Sequence, residues 1–207
     1  MILIGQYDSP FVRRVGIALR LYGMPFEHRP WSVVGDFDRL LAINPTGSVP
    51  VLVLVLDDGT ALVESKVILD NLDSLVPENR RLWPEERLGA LRLSGFALQL
   101  GDRMVSLFYE RRLHAQVSEV LQGRRETQIT ATLAMLERER AAQSGEWWFG
   151  DGLTHADIAV ACILRFVQDC LADLYDPERY PALAAHAARA EALPVFQEIS
   201  QPFIPPA

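Results

Sequence analysis

The spacing of apolar and polar positions divides the chain into a first part with short strands and a second part with long helices. Short runs bounded by turn residues predict strands at 1–4, 26–29, 51–56 and 60–63. Apolar residues spaced three and four apart predict helices at 10–22, 36–43 and 64–76. The predicted order of elements in this first part is therefore βαβαββα.

A polar stretch bounded by prolines follows, and no strand pattern appears after it. Long helical patterns lie at 87–112 and 118–143, a nearly all-apolar helix lies at 158–171, and shorter helices lie at 182–191 and 195–200. We therefore expect an α/β domain at residues 1–77, a linker at 78–86 and an all-helical domain at 87–207.

The start of the first predicted helix carries candidate chemistry. Ser9 is a preferred N-cap residue, and Pro10 suits the first helical position because its missing N–H would be unpaired there. A helix N-terminus also offers unpaired N–H groups and a partial positive charge, so a thiolate held against the Ser9 hydroxyl would be stabilised. The residues alone leave both interpretations open.

A second helix start has a purely structural interpretation. Thr154 and Asp157 are spaced as a capping box, in which each side chain accepts a hydrogen bond from the backbone N–H of the other. The predicted helix behind this box is apolar nearly all round, so it should lie at the centre of the second domain.

Composition narrows the classes of function. Asp and Glu number 27 against 20 Lys and Arg, and the net charge of −7 argues against nucleic acid as a partner. No apolar run reaches the roughly 18 residues of a membrane span, and no signal peptide is recognisable, so we expect a cytoplasmic protein without a membrane partner. The four histidines lack the spacing of metal ligands, and no metal site is predicted.

The order and spacing of four motifs closely resemble the cytosolic glutathione transferase family, in its bacterial, serine-type, theta/zeta-like form. The motifs are the run from Ser9 to Leu19, Ile43-Asn44-Pro45 leading to Val49-Pro50-Val51-Leu52, the pair Glu64-Ser65, and the capping box that follows Leu153. This resemblance implies a thioredoxin-like N-terminal domain followed by an all-α C-terminal domain.

The same resemblance implies an enzyme that activates the glutathione thiolate for attack on a small electrophilic substrate, with glutathione as co-substrate. The reaction would be conjugation, isomerisation or dehalogenation. The alternative is a non-catalytic binding or regulatory protein that keeps the fold. The resemblance further implies a homodimer formed by the first domain of one chain against the 87–143 helices of the other.

The resemblance assigns the main site residues. Ser9 matches the catalytic serine that donates a hydrogen bond to the glutathione sulfur, and Pro50 matches the family's cis-proline, which lets the Val49 backbone pair with the cysteinyl part of glutathione. Glu64 and Ser65 match the pair that holds the γ-glutamyl end. A carboxylate can bind its α-amino group, while a hydroxyl and a helix N-terminus can bind its α-carboxylate.

Other positions are secondary candidates. Phe11 is a candidate wall of the glutathione pocket, and Ser48 stands where relatives often carry a longer residue that reaches the glycyl carboxylate, so the contact to that carboxylate is left open. Tyr7 is the rival of Ser9 for the sulfur, because other classes use a tyrosine near the end of the first strand. In the second domain, the candidates for the electrophile pocket are Met104, Phe108 and Tyr109.

Overall fold

A computed structural model of the chain describes residues 1–53 and 60–205. Its strands and helices, numbered in chain order, are β1 Ile2–Ile4, α1 Pro10–Tyr22, β2 Glu27–Arg29, α2 Phe37–Leu41, β3 Val51–Val53, β4 Ala61–Val63, α3 Ser65–Ser74, α4 Arg87–Leu113, α5 Glu119–Ala141, α6 His155–Cys170, α7 Pro181–Glu191 and α8 Pro194–Glu198. The predicted order βαβαββα is confirmed. The end of the predicted third strand, at 54–56, lies outside the described residues.

The chain divides into two compact units, one formed by Met1–Leu82 together with Leu193–Ala207 and the other by Trp83–Ala192. The C-terminal residues therefore belong with the first unit, whereas the sequence pattern placed them in the helical domain. The reason is apolar burial, since Phe196 and Ile199 of the last segment are buried in the first unit.

The first unit is built on a four-stranded sheet in the order β2-β1-β3-β4. β1 pairs in parallel with β2 and antiparallel with β3, and β3 pairs antiparallel with β4. With the helices between these strands, the unit has the thioredoxin-like fold.

Helix α1 holds the core of the first unit together. Its apolar side, with Val12, Val15 and Leu19, packs with Leu3 of β1 and with the apolar side of α3. The helix ends at Gly23, whose positive φ of 68° is a conformation that glycine adopts without a steric penalty. The sheet and the two helices thereby fix where the first turns of α1 and α3 lie.

The second unit is helical. Helices α4 and α5 run antiparallel: near the start of α4 Arg92 pairs with Glu139 near the end of α5, and near the end of α4 Glu110 pairs with Arg125 near the start of α5. Helix α6 is buried along most of its length and begins at the Thr154 N-cap with both capping-box hydrogen bonds present, as predicted. Within the described parts of the chain, no helix is long and apolar enough to cross a membrane.

Candidate functional site

Ser9 lies at the junction between a tight turn and α1. The Ser9 N–H donates to the carbonyl of Gln6 across 3.1 Å, and the Ser9 hydroxyl oxygen accepts from the Val12 N–H at 3.5 Å. A serine hydroxyl has two acceptor positions and one donor. Because the cap uses an acceptor position, the O–H of Ser9 can donate to a further group, so capping and thiolate binding are compatible. Phe11 is half-buried in the same first turn.

The side chain of Val49 packs near this first turn of α1, in the core cluster that contains Val12. A Cβ atom placed on Gly5 would lie 3.0 Å from the Val49 Cβ and 2.5 Å from a Val12 methyl group, so only a residue without a side chain fits between them. The φ of Gly5 is +127°, which also favours glycine. The peptide bond between Val49 and Pro50 is cis.

The loop before Val49 is ordered by Asn44, which is buried. The Asn44 side-chain oxygen accepts from the Thr46 N–H at 3.1 Å, and its amide nitrogen donates to the Ser48 carbonyl at 2.9 Å. Ser48 is exposed, and its hydroxyl is 2.7 Å from that of Thr46. Asn44 belongs to one of the sequence motifs, but the motif did not indicate this role. Its place two residues before Thr46 is typical of an Asx turn.

The start of α3 carries the pair Glu64 and Ser65. Ser65 is fully buried, whereas Glu64 is exposed and has φ 70° and ψ 117°, a strained conformation for a residue with a Cβ atom. One Glu64 carboxylate oxygen accepts from the Lys66 N–H and from the Ser65 hydroxyl, both at 3.2 Å. Strain of this kind often marks a functional position.

Arg14 links α1 to the start of α3, a role that the sequence pattern did not indicate. It is buried, and its guanidinium donates to the Ser65 hydroxyl oxygen across 3.3 Å. The guanidinium of Arg14 therefore lies at the first residue of α3. The partial positive charge of the α3 N-terminus and this buried guanidinium are suited to an anion, and the Glu64 carboxylate next to them is suited to a cation.

The Tyr7 ring lies beside the middle of α1 and not beside the helix start at Ser9. Its ring stacks on His28 with centroids 3.8 Å apart, and its Cε1 atom lies 3.0 Å from a Cβ placed on Gly16. Gly16 is seven residues past Ser9, which is about 10 Å along a helix axis. Burial raises the pKa of the Tyr7 phenol to about 12, with a smaller opposing effect of Arg20.

The three candidates for the electrophile pocket lie on α4 of the second unit. Met104 is fully buried, while Phe108 and Tyr109 are half-buried. The Phe108 ring meets the Tyr109 ring edge-on at 5.4 Å and the Phe166 ring at 6.2 Å. Across residues 1–53 and 60–205, no group of three or more His, Cys, Asp or Glu side chains is arranged to hold a metal ion.

Comparison with known proteins gives the same family in both parts of the chain. Residues 3–80 match the family model "Glutathione S-transferase, N-terminal domain", and residues 115–189 match "Glutathione S-transferase, C-terminal domain". The probable glutathione S-transferase GSTU6 of Oryza sativa subsp. japonica is 31% identical over 90% of this chain and 82% of that protein. The chain therefore belongs to the glutathione S-transferase family.

Two further glutathione S-transferases are similar to this chain, one over about a third of its length and the other over all of it. Glutathione S-transferase U4 of Arabidopsis thaliana is 42% identical over 37% of this chain, and the match spans about a third of that relative's length (34%). The crystal structure of a Methylobacterium radiotolerans glutathione S-transferase, in complex with glutathione sulfonate, has a TM-score of 0.87 and 29% identity, covering 100% of this chain and 98% of that chain.

Proposed function

We propose that this chain is a serine-type glutathione transferase, which holds the glutathione thiolate beside Ser9 for attack on a small electrophile. The observation that carries the proposal is the contact of 3.3 Å between Arg14 and Ser65, because it joins α1, which begins after Ser9, to the start of α3, which carries Ser65. The relative with glutathione sulfonate bound supports the same ligand class.

The γ-glutamyl end of glutathione fits the start of α3. Its α-carboxylate would accept from the N–H groups at the helix N-terminus and from the Ser65 hydroxyl, whose O–H would turn from the Glu64 carboxylate to the ligand, with Arg14 adding positive charge. Its α-amino group would donate to the Glu64 carboxylate, which is exposed and already oriented by the Lys66 N–H. The cysteinyl backbone would then pair with Val49, next to the first turn of α1.

Ser9 would supply the chemistry. Its O–H donates to the sulfur and favours the thiolate, while its oxygen keeps the helix cap with Val12. The thiolate then forms a sulfur–carbon bond to the electrophile, and a leaving group, where there is one, departs with the electron pair of the bond that breaks. Tyr7 is less suited to this role, because its ring lies toward the middle of α1 at Gly16.

The remaining predicted contacts belong to the same proposal. Phe11 would form part of the wall near the glutathione sulfur, and Ser48 is near the expected position of the glycyl end. On the second unit, Phe108 and Tyr109 present aromatic surface that suits an apolar electrophile. The chemical identity of the electrophile, and thus the choice among conjugation, isomerisation and dehalogenation, is a matter for assay.

We also propose that the chain acts as a cytoplasmic homodimer. Large apolar side chains are exposed at Val67 of α3, at Leu75 directly after α3, and at Leu88 and Phe96 of α4. Exposed apolar positions of this kind are typical of surfaces that bind a partner. Sedimentation at micromolar concentration should give the mass of two chains, and a single species with the mass of one chain would contradict the homodimer.

The test of the proposed function combines binding, turnover and ionisation. The protein should bind a glutathione resin and conjugate glutathione to an aryl halide. The ultraviolet absorbance of the bound thiolate, measured against pH, should show the thiol pKa rising by about one to two units in Ser9→Ala, because a charge-assisted hydrogen bond contributes roughly 1.5–3 kcal/mol.

The outcomes separate the candidate functions. A shift in Tyr7→Phe with none in Ser9→Ala would move the catalytic role to Tyr7. Binding to the resin without turnover on a broad panel of electrophiles, and without a pKa shift in either variant, would favour the non-catalytic binding protein.

A further inference from the structure

The turn that carries Ser9 is hydrogen-bonded to the C-terminal segment, by which we mean residues 193–205. The backbone N–H of Tyr7 donates to the side-chain oxygen of Gln201 across 2.8 Å. The backbone N–H of Ile204 donates to the Asp8 carboxylate across 3.0 Å. Both residues that directly precede Ser9 are therefore bonded to residues near the other end of the sequence.

The C-terminal segment is itself hydrogen-bonded to α1, so its position beside the Gln6–Ser9 turn is fixed. The buried guanidinium of Arg13 donates to the carbonyls of Ile199 and Phe196, each across 2.8 Å. Ile199 also packs closely on the helix, since a Cβ placed on Gly16 would lie 2.9 Å from one of its methyl groups. Gln201 follows the anchored Ile199 by only two positions.

The hydrogen bond at Tyr7 is the one that acts on the turn itself. The turn is closed by the Ser9 N–H and the Gln6 carbonyl, which leaves the Tyr7 N–H to point outward from it. A partly buried backbone N–H needs a partner, and here the partner is the Gln201 side chain. A catalytic hydroxyl must be held to within about 0.5 Å of its productive place.

We propose that Gln201 is a positioning residue, which holds the Gln6–Ser9 turn so that the Ser9 hydroxyl meets the glutathione sulfur. This inference rests on the proposed function, because it takes Ser9 as the group that stabilises the thiolate. Gln201 acts through Tyr7 and Ser9 and does not itself need to touch glutathione.

The experiment compares three substitutions in the full chain. Gln201→Met keeps the length of the side chain and removes the amide oxygen. Gln201→Glu keeps an acceptor oxygen, and Gln197→Ala changes an exposed glutamine of α8 as the matched control. Hydrogen exchange of the Tyr7 amide reports the bond directly, and Ser9→Ala is measured in parallel as the reference for the thiol pKa.

Gln201→Met should expose the Tyr7 amide to faster exchange and raise the pKa of the bound glutathione thiol by about half a unit to one unit, which is a three- to tenfold loss of thiolate at neutral pH. The kcat for aryl-halide conjugation should fall by about the same factor near neutral pH and recover at high pH, where the thiol ionises unaided. The KM for glutathione should stay within about twofold, because Glu64, Ser65 and Val49 hold the rest of the ligand.

Gln201→Glu should retain protection of the Tyr7 amide, and Gln197→Ala should match the unmodified protein in every readout. If Gln201→Met does not fold, Gln201→Asn takes its place in the comparison. The asparagine side chain is shorter by one methylene, so its oxygen no longer reaches the Tyr7 N–H. Faster Tyr7 exchange with an unchanged thiol pKa and kcat profile, while Ser9→Ala shifts the pKa, would overturn the inference alone. An unchanged pKa in Ser9→Ala would overturn the proposed role of Ser9 and the inference with it.

Discussion

The guanidinium of Arg14 and the hydroxyl of Ser65 are 3.3 Å apart, so a buried cation of α1 lies at the first residue of α3, where we propose that the γ-glutamyl carboxylate binds. Both side chains are buried, so water screens the guanidinium charge less than it would at the surface. The geometry of this pair should therefore affect the binding of glutathione more than its chemical reaction.

Arg14→Gln should weaken glutathione binding about tenfold while kcat at saturating glutathione changes less. The reason is that the substitution removes the charge next to the γ-glutamyl carboxylate and the donor that orients Ser65, and about 1.4 kcal/mol corresponds to a factor of ten. Isothermal titration with glutathione measures the affinity. Arg20→Gln, at an exposed position of the same helix, is the control and should bind as the unmodified protein does.

Glu64 combines a strained backbone with a proposed binding role, and two substitutions separate these properties. Glu64→Gly should raise the free energy of unfolding by about 1 kcal/mol, because glycine adopts φ 70° without strain. The glycine also loses the N-cap hydrogen bond from the Lys66 N–H to the Glu64 carboxylate, but this loss costs only about a few tenths of a kcal/mol. Glu64→Gln keeps the strain. Both variants should bind glutathione more weakly, since each loses the carboxylate.

Denaturant unfolding and glutathione titration of the two Glu64 variants check this prediction. Equal stabilities for the glycine and glutamine variants would show that the backbone conformation at this position stores little strain. Unchanged glutathione affinity in both would remove Glu64 from the proposed site.

Gly5→Ala should destabilise the protein by roughly 2 kcal/mol or more. A Cβ atom there would overlap a Val12 methyl group at 2.5 Å, and alanine is disfavoured at φ +127°. Glutathione affinity should fall as well, because Val49 would have to move away from α1. Gly123→Ala is the matched control, since nothing lies within 4 Å of a Cβ at this position of α5, and it should be neutral or stabilising by up to about 1 kcal/mol in thermal unfolding.

The stability of the protein should fall as the pH falls below about 6.5. Burial lowers the pKa of the His28 imidazole, although its hydrogen bond to the Gly5 carbonyl opposes this, and burial also lowers the pKa of His186. An unfolded histidine, with a pKa near 6.5, then takes up a proton at a higher pH than the folded one. This contribution to the free energy of unfolding is therefore complete above pH 6.5 and is lost as the pH falls toward the folded pKa.

Denaturant unfolding at a series of pH values from 8 to 5 measures this dependence. His28→Gln keeps a donor for the Gly5 carbonyl but cannot titrate, so it should flatten the decline in stability without abolishing it, because His186 remains. An identical decline in His28→Gln and in the unmodified protein would show that His28 does not contribute.

The elements that the sequence predicted best are those with local signals. The Ser9-Pro10 start and Gly23 end of α1 are confirmed, as is the Thr154–Asp157 capping box of α6. Each of these depends on residues within a turn or two of one another, so a single stretch of sequence contains the whole interaction. The predicted ends of the long helices α4 and α5 agree with the structure to within two residues for the same reason.

The features that the sequence did not predict depend on residues far apart in the chain. Arg14 looks like an ordinary helical arginine until Ser65 is known to lie beside it. The C-terminal segment has prolines and a short helix but no signal for the unit on which it packs, and only the burial of Phe196 and Ile199 in the first unit decides this. The positive φ of Glu64 has no sequence signal either, because the usual marker, glycine, is absent there.

The hydrogen bond between Tyr7 and Gln201 also has a consequence for the order in which the protein matures during synthesis. The two residues are 194 positions apart, and at about 5 to 20 residues per second the ribosome needs roughly 10 to 40 seconds to pass from one to the other. The strands and the helix around Ser9 are complete once β4 has been made at Val63, so for most of that interval they exist without the segment that fixes their turn. The nascent chain therefore carries Ser9, Val49, Glu64 and Ser65, which we propose bind glutathione, well before the turn that presents Ser9 is held in place.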